Sequence, residues 1–191
     1  MREKLLALLW YIPFLRPLVR KRLPKHGRGY SHYWTSPEGA AYRLAMYERQ
    51  KDMDKNPSFD EMRTTIAAHK PATVLCAGCG YGREMAALAS HFSIEGFDIA
   101  QDLLDKAPKN LRVFKHDLLQ DRPAGQWDVV FCRAVLMYFP KSDEMRSAMQ
   151  NLETMARTKV IVWEWPHIIA DMKAAYPSAK FEYHPLAYRK E

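Results

Sequence analysis

Val74-Leu75-Cys76-Ala77-Gly78-Cys79-Gly80-Tyr81-Gly82 is the stretch whose reading decides the fold. An apolar run of strand length ends in three glycines at alternate positions, then meets Arg83 to His91, whose apolar residues recur with helical period. Glycines placed so let the backbone turn sharply and come close to a ligand, and the following helix turns free N–H groups toward an anion. A plain strand-to-helix turn uses the same glycines, so the spacing beyond them has to separate the two. Asp98 lies 20 residues after Gly78, at the expected end of a second strand, where a carboxylate accepts from both hydroxyls of a ribose. A dinucleotide loop needs its third glycine at position 83. Here Gly82 is followed by Arg83, which moves the reading away from NAD.

Outward from the loop, short apolar runs alternate with amphipathic ones. Thr73 to Ala77, Ser93 to Phe97, Leu111 to Phe114, Trp127 to Cys132 and Lys159 to Trp163 read as strands. Arg83 to His91, Gln101 to Ala107 and Ser142 to Met155 read as helices. Strands separated by helices imply an α/β fold with a mostly parallel central sheet and helices on both faces. Past Trp165, 26 residues leave room for a short helix near His167 to Ala175 and one or two strands within Lys180 to Arg189, for a sheet of about six. Upstream, Ser36-Pro37-Glu38 is a capped helix start, followed by Leu44, Met46 and Tyr47 as a partly apolar face. Asn56-Pro57-Ser58 opens a second helix with Phe59, Met62 and Ile66 in register. The chain therefore divides into an apolar and basic arm (1–25), a helical lead-in (26–69) and the α/β body (70–191).

The net charge of +7 is localised. Arg2, Lys4, Arg16, Arg20, Lys21, Arg22, Lys25 and Arg28 stand against Glu3 in the first thirty residues, and the rest of the chain is neutral. A basic arm on a neutral body is not a nucleic-acid footprint spread over the whole protein. Leu5 to Leu15 lacks a small-residue cleavage site after it, is interrupted by Pro13 and is short of the roughly 20 residues that span a bilayer. Neither secretion nor membrane crossing is expected of it. Cys76, Cys79 and Cys132 are too few for a disulfide scaffold, which points to a reducing, cytoplasmic setting. Cys76-Ala77-Gly78-Cys79 has C-x-x-C spacing, but its first cysteine falls in a strand and no second pair exists; buried small residues are expected, with no metal.

With these residues in place, Thr73 to about Trp165 resembles the class I S-adenosylmethionine-dependent methyltransferases. More loosely, it is similar to small stand-alone methylases of sugar and surface-polysaccharide pathways. The resemblance implies a Rossmann-like fold and S-adenosyl-L-methionine as cofactor. It places Gly78, Gly80 and Gly82 beneath the methionine and ribose, Asp98 on the ribose, Ile99 against the adenine, and Asp117, with Leu118 beside it, at the adenine amino group. Trp127-Asp128-Val129-Val130-Phe131-Cys132-Arg133-Ala134-Val135-Leu136 is similar to the family's fourth strand and the turn after it. One departure stands out: the family usually carries an acid two residues before the first glycine, to contact the methionine amino group or order the loop, and here that residue is Cys76. Backbone carbonyls near Ala77 or Arg133 are the expected replacement. Arg83 either holds the cofactor carboxylate or is a solvated first-turn side chain.

Methyl transfer from a sulfonium is an in-line displacement that depends on positioning, so a general base is optional. Tyr138, Glu164 and His167, with Tyr30, Tyr33 and Trp34 as a lid, are candidates for the acceptor side, but each has a plainer packing role and none is assigned as catalytic. Arg133-Ala134-Val135 replaces the Asn/Asp-Pro-Pro-aromatic turn with which amino-methylating nucleic-acid enzymes grip a planar nitrogen, which lowers the case for nucleic acid. The arm fits peripheral contact with a membrane, with nucleic-acid phosphates, or with a protein partner; its Leu, Trp, Ile and Phe favour the first or last. The expected function is methyl transfer to a small-molecule or lipid-linked acceptor. A non-catalytic cofactor-binding module and an RNA methyltransferase are the alternatives.

Overall fold

The computed structural model describes residues 34–50, 58–120, 125–139 and 141–186. The arm, Tyr30 and Tyr33 lie outside the described residues. Two lead-in helices, α1 (Pro37–Gln50) and α2 (Ser58–Ala68), precede β1 (Thr73–Ala77), α3 (Arg83–Leu88), β2 (Ser93–Asp98), α4 (Gln101–Leu104) and β3 (Arg112–Lys115). Then come β4 (Trp127–Arg133), a 3₁₀ turn (Leu136–Tyr138), α5 (Ser142–Met155), β5 (Ala156–Glu164), α6 (Pro166–Ala175) and β6 (Glu182–Pro185).

The six strands form one sheet in the order β3-β2-β1-β4-β5-β6, and every neighbouring pair is parallel. Alternation along the strands explains why both faces are covered. On β1, Leu75 and Ala77 face a cluster with Met149, Leu152 and Met155 of α5 and Met172 of α6, while Val74 and Cys76 face Met62 and Ile66 of α2 and Met85 and Leu88 of α3. A parallel sheet leaves no wet face, and the buried strands read as continuous apolar runs accordingly.

Three boundaries differ from the sequence reading by more than a single residue. Helices α3 and α4 end early, at Leu88 and Leu104, and β5 begins three residues sooner, at Ala156, directly after α5. Leu44, expected on the apolar face of α1, is instead exposed. The face of α1 that packs is polar and aromatic: Arg43 Nε donates to both carboxylate oxygens of Asp102 on α4 at 2.8 and 2.9 Å. The cap at its start is as expected, with Gly39 N–H donating to Ser36 Oγ at 3.3 Å. β6 arrives by the α6 crossover and pairs in parallel with β5.

Candidate functional site

The sheet order reverses between β1 and β4, so the connections after β1 and β4 leave in opposite directions and open a crevice at the strands' C-terminal ends. The glycine loop lines that crevice. Gly78, Gly80 and Gly82 all have positive φ, at 71°, 56° and 81°. At Gly78 the reason is both conformation and space, since a Cβ there would come within 2.4 Å of Val135 Cγ2, from the turn after β4. At Gly80 it is different. Among the described residues a Cβ would meet nothing nearer than Leu103 Cδ1 at 4.0 Å, which leaves space over the middle of the loop.

Asp98 holds the loop over that opening. Its Oδ2 accepts from Gly80 N–H at 2.8 Å and its Oδ1 from Ala100 N–H at 2.9 Å. Burial raises the carboxyl above its ordinary value against the pull of these bonds. Each oxygen has a second lone pair, so the same carboxylate can tie down the loop and still receive hydroxyls. Next to it, Ile99 packs with Trp34, Ala100 and Leu103. Asp117 Oδ1 accepts from Leu119 N–H at 2.9 Å, fixing the turn after β3, while the Leu118 side chain lies in the core with Phe97 and Trp127. His116, which precedes Asp117 in the segment after β3 and has no role in the sequence reading, stands edge-on to Phe97 at 5.0 Å, and its Nε2 is buried without a partner among the described residues. Burial lowers its pKa, which keeps the ring neutral at pH 7.

On the other side of the crevice, Cys76 is buried and its thiol is pushed well up by burial, as are those of Cys79 and Cys132, so none offers a thiolate near neutrality. Arg83 does not stand in solvent. Its Nη2 donates to Glu84 Oε1 at 3.0 Å and its guanidinium lies over the Phe59 ring, 5.4 Å from the centroid. Arg133 Nη1 donates to the same Glu84 oxygen at 3.0 Å. Ala134 follows with φ 55°, a left-handed conformation rare for alanine, and is pinned by its N–H to Trp163 O at 2.9 Å. Glu84 is absent from the sequence expectation, and Ala134 enters it only as part of the fourth-strand signature, with no left-handed conformation expected there. Asp128, within the fourth-strand signature, sits at the far end of the sheet, where Oδ2 accepts from Ala72 and Thr73 N–H at 2.8 and 3.0 Å.

Two aromatic pairs join the lead-in to the loops at the strand ends. Trp34 meets Tyr138 with ring centroids 4.9 Å apart, and Tyr47 on α1 meets Tyr81 of the glycine loop at 4.9 Å. Of the acceptor-side candidates, His167 is exposed at the start of α6. Glu164 is fully buried, and its carboxylate accepts from Met137 N–H at 3.2 Å and Trp165 N–H at 3.3 Å. It therefore braces the turn that carries Met137 and Tyr138.

Burial pushes the Glu164 carboxyl from 4.5 up to about 7, outweighing the backbone N–H groups around it. The folded value lies above the unfolded one, so this group's stabilising contribution is full below pH 4.5 and is lost as pH rises through 7. The difference corresponds to roughly 3 kcal/mol. Urea unfolding of Glu164→Gln beside the unaltered chain is expected to show the unaltered chain losing about that much relative to the variant between pH 4.5 and 8. Parallel pH profiles would contradict the assignment.

The residues able to hold S-adenosylmethionine in this crevice fit its chemistry. Asp98 offers acceptors, Gly80 leaves room beside them, and Arg133 Nε is a buried donor without a partner among the described residues. Residues 74–159 match the family model of a methyltransferase domain. An amino-pentose methyltransferase of Micromonospora echinaspora with bound S-adenosylmethionine, involved in calicheamicin biosynthesis, superposes with TM-score 0.54 at 21% identity, over 66% of this chain and 58% of its own. A sugar N-methyltransferase of Streptoalloteichus superposes with TM-score 0.57 at 17% identity, over 65% of this chain and 55% of its own. The magnesium protoporphyrin IX methyltransferase of Synechocystis, with bound S-adenosylmethionine, gives 0.59 at 20% identity, over 77% of this chain and 82% of its own. The chain thus spans little more than half the length of the two sugar enzymes. No curated protein sequence matches it.

Proposed function

We propose, starting from residues 74–159 as a methyltransferase domain of the Rossmann-like class I fold, that this protein binds S-adenosylmethionine in the crevice above Gly80 and transfers its methyl group to a small-molecule or lipid-linked acceptor. The observation that carries the reading is the Asp98 carboxylate closed on Gly80 N–H at 2.8 Å beneath open space, at the point where the sheet order reverses. When bound, the cofactor supplies an electrophilic methyl on sulfur. The chain's own part is to orient and to exclude water. Asp98 fixes the ribose, Ile99 and the turn at Asp117 flank the adenine, and the paired rings of Trp34 and Tyr138 wall the mouth through which an acceptor approaches. Glu164 is a positioning residue for that wall, because its carboxylate is taken up by backbone donors.

A small acceptor is supported by the neighbours, whose names give an amino-pentose, a sugar and a porphyrin as substrates. Titration calorimetry with S-adenosylhomocysteine tests the cofactor half of the reading; absence of heat and of any thermal shift would sink it. Methyl transfer from labelled cofactor to candidate small acceptors tests the rest. The neutral thiol at Cys76, where the resembled family has an acid, supports a second reading, a cofactor-sensing module without turnover.

No helix among the described residues is long and apolar enough to cross a membrane. The basic, apolar arm instead supports peripheral attachment, at about 1 kcal/mol per favourably placed base on anionic lipid. In flotation with phosphatidylserine-containing vesicles the full chain is expected to rise and a chain lacking residues 1–25 to stay at the bottom. Failure of the full chain to float would remove the membrane reading and leave a protein partner.

A further inference from the structure

The crevice holds a charged cluster that the resembled family's motifs do not supply. Glu84 Oε1 accepts from Arg83 Nη2 and from Arg133 Nη1, both at 3.0 Å, and the three side chains are only 16, 12 and 18% exposed. Glu84 comes two residues after the last glycine of the loop, and Arg133 ends β4, the strand beside β1. The cluster thus spans from the loop's exit to the neighbouring strand. After burial and the neighbouring Cys79, the Glu84 charge is the next cause that pushes the Cys76 thiol up.

Two guanidinium groups share one carboxylate, which leaves one surplus positive charge in a half-buried place. Arg83 spends its face on Phe59. Arg133 does not have such an outlet: its Nε is buried and lacks a partner among the described residues. A buried charged donor without an acceptor is costly, and a ligand carboxylate removes that cost. Glu84 has the complementary spare capacity, because both guanidinium bonds end on Oε1 and Oε2 takes neither. One acceptor and one cationic donor held side by side suit an ammonium and a carboxylate borne on the same carbon.

We propose that Glu84 and Arg133 together form the receptor for the α-amino-acid end of the cofactor, Arg133 Nε taking the carboxylate and Glu84 the ammonium. Glu84 thereby does from the first turn of α3 what an acid at position 76 does in the resembled family. Arg83 is a positioning residue that shares the Glu84 carboxylate. The assignment rests on the reading of the crevice as an S-adenosylmethionine site.

Two probes separate the assignment from that reading. S-adenosylhomocysteine carries the amino-acid end; 5′-deoxy-5′-methylthioadenosine has the same nucleoside thioether without it. In titration calorimetry on the full chain, Glu84→Gln and the charge-conserving Arg133→Lys are each expected to weaken S-adenosylhomocysteine by about tenfold or more, the effect of losing one charged hydrogen bond. Methylthioadenosine affinity should move by less than about twofold, too little for the loss of any hydrogen bond, and it also reports that the loop remains folded in each variant. Unchanged S-adenosylhomocysteine affinity, or equal losses on both probes, overturns the assignment while the cofactor reading stands. No binding of either probe by the unaltered chain overturns the cofactor reading, and the assignment with it.

Discussion

Asp98→Ala is expected to cut S-adenosylhomocysteine affinity by about 100-fold or more, the largest single effect on binding that this structure predicts. Two losses add. The carboxylate is the proposed acceptor for both ribose hydroxyls, and hydrogen bonds to a charged group contribute about 1.5–3 kcal/mol each, where 1.4 kcal/mol is tenfold. The same substitution strips the acceptor from Gly80 N–H and Ala100 N–H, so the loop over which the ligand lies is no longer tied to the end of β2. The effect on the free protein is smaller, because burial has already raised the Asp98 carboxyl and removing it relieves that desolvation. Calorimetry together with urea unfolding distinguishes the two losses. An affinity within about threefold of the unaltered chain would show that Asp98 only ties the loop and that the ribose lies elsewhere.

Gly78→Ala is expected to cost about 3 kcal/mol or more of stability. The backbone at φ 71° costs an L-residue roughly 1–2 kcal/mol, and overpacking adds about 1–3. The overpacking is specific, because the new Cβ lies 2.4 Å from Val135 Cγ2. Val135→Ala made in the Gly78→Ala background should therefore recover the steric part and leave the conformational part, about 1–2 kcal/mol. Denaturant unfolding of the four chains of this cycle measures the coupling. Strict additivity would mean that β1's exit and the turn after β4 do not press on each other as described.

Much of the fold was open to reading from the chain alone. All six strands and the helices between them fall where period and glycine spacing put them, because apolar alternation and turn chemistry are local properties. The errors lie at the element ends. Helices α3 and α4 end short because their last predicted residues pack in turns, and β5 starts early because α5 runs into it without a loop. Leu44 misled for a related reason. Helical spacing marks an apolar stripe but not which stripe packs, and here the Arg43 to Asp102 pair sets how α1 lies. The site was legible only in part. Asp98 and the three glycines were found from spacing, whereas Glu84 and His116 received no role, and Ala134 and Val135, although inside the fourth-strand signature, act through partners far along the chain.

The sequence by itself determined an α/β sheet, a ligand loop at residues 78–82 and a carboxylate at the end of the next strand, since each depends on neighbours within some twenty residues. Tertiary structure alone decided that Arg83 turns to Phe59 and Glu84, and that Arg133 reaches Glu84 across 49 positions. It also decided that Glu164 braces the turn after β4 across 27 positions. Side-chain charges are short-range in their bonding and find partners only where strand register and helix packing bring them within about 3 Å. No period in the chain encodes that meeting.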